Sequence, residues 1–142
     1  MPPARDHFPQ PVRTLLVDDS AVLLHGLCAY MQTKPLFQVV GTAMDGGEAL
    51  LRAELHRPDL ILMDLHMPVM DGLETTKILR RRVPNSRIII MTLEDSAAAK
   101  AAARAHGAHG FIGKQQIIED HLETEVCRVF RSDHTKNEPI SS

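Results

Sequence analysis

The chain predicts an α/β domain of five parallel strands with helices wound on both faces of the sheet, and three observations carry that prediction. Short apolar runs alternate with stretches of helical periodicity, the pattern of repeated strand-helix units. The runs, Thr14-Leu15-Leu16-Val17 and Ile88-Ile89-Ile90-Met91 among them, are almost continuously apolar, as strands covered on both faces require. Four of them end on polar groups, at Asp18-Asp19, Asp64, Thr92 and Lys114, so one edge of the sheet gathers chemistry.

Residues 1–12 hold Pro2, Pro3, Pro9 and Pro11 without a hydrophobic period and are expected to form a disordered lead-in. Strands are expected at 13–17, 37–42, 59–63, 87–91 and 109–112. The first helix takes Ser20 as its N-cap and is expected to turn Val22, Leu23, Leu27 and Met31 toward the sheet. The second covers 46–56 and stops before Pro58. The third follows the turn Met70-Asp71-Gly72 and ends before Pro84. Its Arg80-Arg81-Arg82 run falls in the last turn, where cations complement the helix dipole, which favours a solvated face over a nucleic-acid patch.

The fourth helix, 95–106, is alanine around Lys100, so propensity holds it more than burial does and it can shift cheaply. The fifth, 115–131, carries Ile117, Ile118, Leu122, Val126 and Phe130 as a core-facing stripe. Residues 132–142 are polar and are expected to be a disordered tail, leaving one domain over 13–131. Five such units give the flavodoxin-like order 2-1-3-4-5, whose ligand crevice lies outside the strand carboxyl ends between strands one and three. Asp18, Asp19 and Asp64 sit at that point.

A chain of 142 residues can bury a proper core. Its formal net charge of −2 shows no footprint of a nucleic-acid or anionic-membrane binder. No apolar run approaches the ~20 residues of a membrane span and the start lacks a signal peptide's apolar region, so a cytoplasmic protein is expected. Cys28 and Cys127 stand apart in apolar helical patterns and read as reduced thiols. Among the eight histidines no spacing matches a zinc template, and His106 and His109, around Gly107, read as capping or solvated.

Clustered carboxylates repel, and one of them would take a proton unless a cation intervened. Magnesium suits such a nest, because it prefers oxygen ligands and typically takes one or two carboxylates plus phosphate oxygens. Asp19 and Asp64 can supply them, with Asp18 assisting, and a free oxygen of Asp64 is then a candidate nucleophile toward phosphorus. Lys114 can supply positive charge and Thr92 a hydroxyl donor to a phosphoryl group whose transfer needs mainly alignment and neutralisation. Singly, each residue has a plainer role as a cap, turn former or solvated cation. Their coincidence at four strand ends is what argues for a site.

These residues, in this order, resemble the receiver domain of two-component response regulators over about Arg13 to Arg131. The most specific piece is Asp64-Leu65-His66-Met67-Pro68-Val69-Met70-Asp71-Gly72, similar to the family's D-x-x-M-P-x-M-D-G. Val17-Asp18-Asp19-Ser20, Met91-Thr92 and Phe111-Ile112-Gly113-Lys114 supply the rest. The resemblance implies that Asp64 is phosphorylated by a phosphohistidine on a sensor kinase or phosphotransfer protein, with Asp18, Asp19, Asp64 and the backbone carbonyl of His66 around magnesium. It implies a switch in which Thr92 swings toward the new group and Phe111 turns inward, remodelling the face of helix four, strand five and helix five for an effector protein or a second copy. His66 and Glu94 occupy positions that flank the path of hydrolytic water in such domains. One departure is Gln115, where many relatives have proline after the lysine on a cis bond; a non-proline cis bond costs ~2.5–4 kcal/mol, which favours trans.

Four functions compete on these residues. The first is a stand-alone phosphoacceptor switch signalling by protein contact, without direct nucleic-acid or membrane binding. The second is a degenerate receiver binding partners without phosphorylation, suggested by Gly113 and Gln115. The third is a magnesium-dependent phosphohydrolase, which would want a second acid where His66 stands. The fourth is a receiver piece of a longer DNA-binding regulator.

Overall fold

The structure, a computed structural model, describes residues 9–67 and 70–136, with 132–136 as backbone only. Most of the expected lead-in, the end of the expected tail, and Pro68 and Val69 of the motif lie outside the described residues. Strands β1 (Val12–Val17), β2 (Phe37–Ala43), β3 (Leu60–Asp64), β4 (Arg87–Thr92) and β5 (Gly110–Gly113) alternate with helices α1 (Ala21–Gln32), α2 (Gly46–His56), α3 (Gly72–Arg82) and α4 (Ala97–Ala105). Helices α5 (Lys114–Ile118) and α6 (Leu122–Lys136) follow β5. The strands form one parallel sheet in the order β2-β1-β3-β4-β5, as the alternation predicts.

The unbroken apolar runs resolve into two cores because side chains alternate along a strand. Val12, Leu16, Leu60, Leu62, Ile89 and Met91 pack with Leu24 and Met31 of α1, Ile117 of α5 and Leu122, Val126 and Phe130 of α6. Leu15, Val17, Ile61, Met63, Ile88 and Ile90 face the other way, onto Ala49 and Ala53 of α2, Leu79 of α3 and Ala99 and Ala103 of α4.

Two helical expectations are corrected. Ser20 caps α1 as expected, accepting from the Leu23 N–H, but Val22 and Leu23 are 81% and 45% exposed. The packed stripe is Leu24, Leu27, Cys28 and Met31, spaced i, i+3, i+4 and i+7, and Val22 and Leu23 lie off its phase. The expected fifth helix is two, α5 and α6, and Ile118 is 76% exposed while Ile117, Leu122, Val126 and Phe130 are buried as expected. Asp120 takes a left-handed φ of 70° at the break, and Tyr30 Oη donates to its carboxylate at 2.5 Å while Lys34 Nζ pairs with it at 2.9 Å. These partners come from α1 and its end, so the break is set by packing across the fold. Helix α6 also runs to Lys136, past the boundary expected at 131.

The third helix ends as expected, yet Arg80 is not merely solvated: it donates to the Gly107 carbonyl at 2.5 Å. Gly107 has φ +102°, and a Cβ there would crowd Arg80 Cγ at 3.1 Å. His106 caps as expected, its Nδ1 2.8 Å from the Ala102 carbonyl, whereas His109 is neither capping nor solvated: it is half-buried and its Nδ1 accepts from the Ile88 N–H of β4 at 3.0 Å. Both cysteines are free thiols, Cys127 buried and Cys28 half-buried. Among the described residues, no helix is long and apolar enough to cross a membrane.

Candidate functional site

Each strand end delivers its residue to the same edge of the sheet. Asp18 follows β1, Asp64 ends β3 and Thr92 ends β4, and these three residues are 2%, 5% and 1% exposed, whereas Asp19 is exposed. Carboxylate oxygens of Asp18, Asp19 and Asp64 lie within 4.8 Å of one another. Lys114, the first residue of α5 beyond β5, places Nζ 2.7 Å from Asp18 Oδ2 and 3.1 Å from Asp64 Oδ1. Asp18 Oδ1 also accepts from the Ser20 N–H at 2.9 Å, so the carboxylate is held from both sides.

Burial raises the Asp64 pKa above the ordinary carboxylate range, and the neighbouring Asp18 and Asp19 charges raise it further against the opposing pull of Lys114. Burial alone would depress the Lys114 ammonium, but its bonds to Asp18 and Asp64 outweigh that and leave its pKa raised. One ammonium therefore does not fully relieve three carboxylates. A hard dication fits this donor set: Asp18, Asp19 and Asp64 offer the oxygens it prefers, and its charge removes the remaining repulsion.

A stability test follows from the sign of that shift. Because folded Asp64 holds its proton to higher pH than the unfolded chain does, its ionisation lowers stability as pH rises from about 4 through the raised folded value. Asp64→Asn is therefore expected to melt higher than wild type at neutral pH in chelator. The gap should vanish toward acid pH, and a lower melting temperature for the variant at neutral pH would contradict the assigned electrostatics.

The loop after Asp64 is shaped by a close approach. Gly72 N donates to the Leu65 carbonyl at 3.0 Å, Leu65 N donates to the Met91 carbonyl at 2.9 Å, and a Cβ at Gly72 would stand 2.1 Å from the Asp64 carbonyl oxygen. Asp71 caps α3 by accepting from the Glu74 N–H at 2.9 Å. The loop thus folds back onto the end of β3, and only glycine leaves room for it.

Thr92 and Phe111 stand at the edge of this cluster. Thr92 Oγ1 accepts from the Glu94 N–H at 2.9 Å and makes no bond to the carboxylates among the described residues. Phe111 is half-buried and its N–H donates to Glu125 Oε2 of α6 at 3.1 Å. His66 and Glu94 meet at the surface, Nε2 to Oε1 at 3.3 Å, with side chains 71% and 58% exposed. The Lys114-Gln115 peptide is trans, since the one cis bond among the described residues precedes Pro11. The role of Gly72 and the bond of Glu125 to the β5 edge were not read from the sequence. The glycine directly after the Asp71 cap was a usable signal for the first, and no local signal marked the second.

A family model for the response regulator receiver domain matches residues 14–126. The chain belongs to that family. This receiver domain is 34% identical over 129 residues to a protein-glutamate methylesterase/protein-glutamine glutaminase of Methanosarcina acetivorans, covering 89% of this chain and 37% of that protein. It resembles the response regulator domain of Thermotoga maritima CheB at 32% identity and a TM-score of 0.74, over 85% of this chain and 96% of that one. It also resembles a chain of the CheX-CheY-BeF3-Mg complex of Borrelia burgdorferi at 25% identity and a TM-score of 0.71, over 81% and 90%. The chain spans between 30% and 53% of the length of the first curated relatives it matches.

Proposed function

We propose that this receiver domain is a phosphoacceptor switch in which Asp64 takes a phosphoryl group from a phosphohistidine of a sensor kinase or phosphotransfer protein in the cytoplasm. The observation that carries this reading is the single ammonium of Lys114 reaching both buried carboxylates, Asp18 and Asp64, beside a third. An Asp64 carboxylate oxygen attacks phosphorus, the phosphorus–nitrogen bond breaks, and the imidazole leaves with the electron pair and takes a proton from solvent. Asp18, Asp19, Asp64 and the His66 backbone carbonyl would hold magnesium, whose charge would neutralise the phosphoryl oxygens.

The chain's own residues do the rest. Lys114 Nζ has three protons and can turn from the carboxylates to a phosphoryl oxygen while keeping one of them. A hydroxyl accepts and donates at once, so Thr92 can keep the Glu94 N–H and still give its proton to the acyl phosphate. The new group adds roughly −1.5 to −2 charge, which favours whichever arrangement of Thr92 and Phe111 meets its oxygens. That bias passes to the face of α4, β5 and α6, where an effector protein or a second copy would read it. His66 and Glu94 pair at the surface at 3.3 Å, and, as the resemblance to receivers implies, they would flank the path of hydrolytic water and tune the lifetime of the product.

The trans Lys114-Gln115 bond leaves Lys114 within reach of both acids without a following proline, which supports the active reading over the phosphorylation-independent one. The methylesterase activity named for one relative is not carried over, and the only chemistry inferred is the gain and loss of phosphate at Asp64. Incubating the chain with magnesium and acetyl phosphate should add one phosphoryl mass by intact mass spectrometry. Asp64→Asn or chelator should abolish the gain, and a gain that survives Asp64→Asn would place the acceptor elsewhere.

A further inference from the structure

We propose that Tyr30, Lys34 and Asp120 clamp the short helix α5 and so position Lys114 for the phosphoryl group, an assignment that rests on the phosphoacceptor reading above and adds positioning residues to it. Lys114 has little local support. It stands between Gly113 and Gln115, neither of which fixes the backbone as a proline would. It opens α5, whose five residues are too few to hold a helix unaided. Its aim at Asp18 and Asp64 therefore depends on where the whole helix is held.

Helix α5 is tied to the α1 side at both ends, with slack between. At one end Lys114 Nζ reaches Asp18, whose other oxygen accepts from the N–H of Ser20, the α1 cap. At the other, Asp120 Oδ1 accepts from Tyr30 Oη at 2.5 Å and lies 2.9 Å from Lys34 Nζ. Between them runs a groove of about 410 Å³, lined by Leu23 and Leu27 of α1 and Ile117 and Ile118 of α5, with Lys114 and Tyr30 also on its walls. Apolar packing leaves the spacing of the two helices loose along this groove, and the polar contacts at its ends set it.

Asp120 is built into the end of α5. Its N–H donates to the Ile117 carbonyl at 3.0 Å, and the His121 N–H donates to the Gln116 carbonyl at 2.9 Å. The helical rise from Lys114 to Asp120 is about 9 Å, so a displacement at one end is carried to the other. Folding alone explains this acid poorly: at φ 70° glycine would be the least strained residue, and the Asp120 side chain is 62% exposed. The clamp explains it. Bonds from Tyr30 and Lys34 hold the Asp120 carboxyl below the ordinary carboxylate range, and Lys34 Nζ stands 5.3 Å from the Tyr30 ring centre, which joins the two partners. Exposed pairs of this kind add little to global stability, so their contribution is to position α5.

The test uses the full chain and follows phosphate uptake from acetyl phosphate and magnesium by intact mass over time. Asp120→Gly keeps the left-handed turn and removes the carboxylate. It should melt close to wild type yet take phosphate about tenfold more slowly, because misplacing a group by about 1 Å is enough to slow a reaction. Tyr30→Phe should slow uptake by less, since Lys34 remains, and Asp120→Asn, which still accepts from Tyr30, should recover most of the rate. In a Lys114→Met background Asp120→Gly should cause little further slowing, because the clamp acts through the ammonium. Wild-type uptake by Asp120→Gly, or the same tenfold slowing without Lys114, would overturn the clamp. A second readout needs no phosphate. Coupling is reciprocal, and Tyr30 is the only tyrosine in a chain without tryptophan, so in chelator folded Lys114→Met should move the tyrosine emission toward that of Asp120→Gly. That shift in a chain that takes no phosphate would support the clamp and overturn only the phosphoacceptor reading, whereas unchanged emission would overturn the clamp.

Discussion

Gly72→Ala is expected to cost about 3 kcal/mol or more and to remove most phosphate uptake at Asp64. The added methyl would meet the Asp64 carbonyl oxygen at 2.1 Å, its carbon at 3.0 Å and Leu65 Cα at 3.1 Å, all backbone and none able to rotate away. Relief requires β3 or the start of α3 to shift, and either shift displaces Asp64 from Lys114. For a domain of this size the loss corresponds to a fall of about 10 °C in Tm, read by circular dichroism. Gly26→Ala is the control: nothing lies within 4 Å of a Cβ there, and an alanine inside α1 should gain about 0.5–1 kcal/mol. Melting of the Gly72 variant alongside wild type would show that the loop relaxes freely and that the close approach is not what shapes the site.

Lys114→Met should produce the other large effect. Removing the ammonium leaves Asp18 and Asp64, 2% and 5% exposed, with no cation between them. Breaking a buried pair in this way costs about 3 kcal/mol at neutral pH in chelator. The pH dependence has a definite sign. Lys114 has a raised folded pKa, so its contribution is complete at every pH below the ordinary lysine value, neutral pH included. In the variant, Asp64 loses the group that opposes its upward shift, and it takes a proton as pH falls. The deficit should therefore shrink toward acid. Magnesium should also restore part of it, because a ligand at a hundred times its Kd adds about 2.7 kcal/mol. A deficit that grows on acidification, or indifference to magnesium, would refute the account of the acidic nest.

Much of this was legible in the chain because it rests on near neighbours. Strand runs, the Ser20 cap and the stop before Pro58 depend on residues a few positions apart, and the structure places them as the pattern predicts. The errors arose where distant groups decide a local outcome. Val22 and Leu23 are apolar residues at a helix start, and their hydropathy favours burial, yet the helix phase set by Leu24 and Met31 leaves them outside. Glu119-Asp120-His121 contains no glycine or proline to announce the break between α5 and α6, and Tyr30 and Lys34, from α1 and its end on the same face of the sheet, hold Asp120 there.

The site divides along the same line. Sequence alone determined which side chains converge, since a parallel sheet covered on both faces carries its strand ends to one edge, and those ends are Asp18, Asp64, Thr92 and the residue before Lys114. Tertiary structure decided how they engage: Lys114 bridges two acids, Thr92 turns to the Glu94 N–H, and Glu125 seals the β5 edge beside Phe111. Periodicity is written in neighbours, whereas the bond from Lys114 to Asp18 spans 96 residues and exists only once the whole sheet has been assembled.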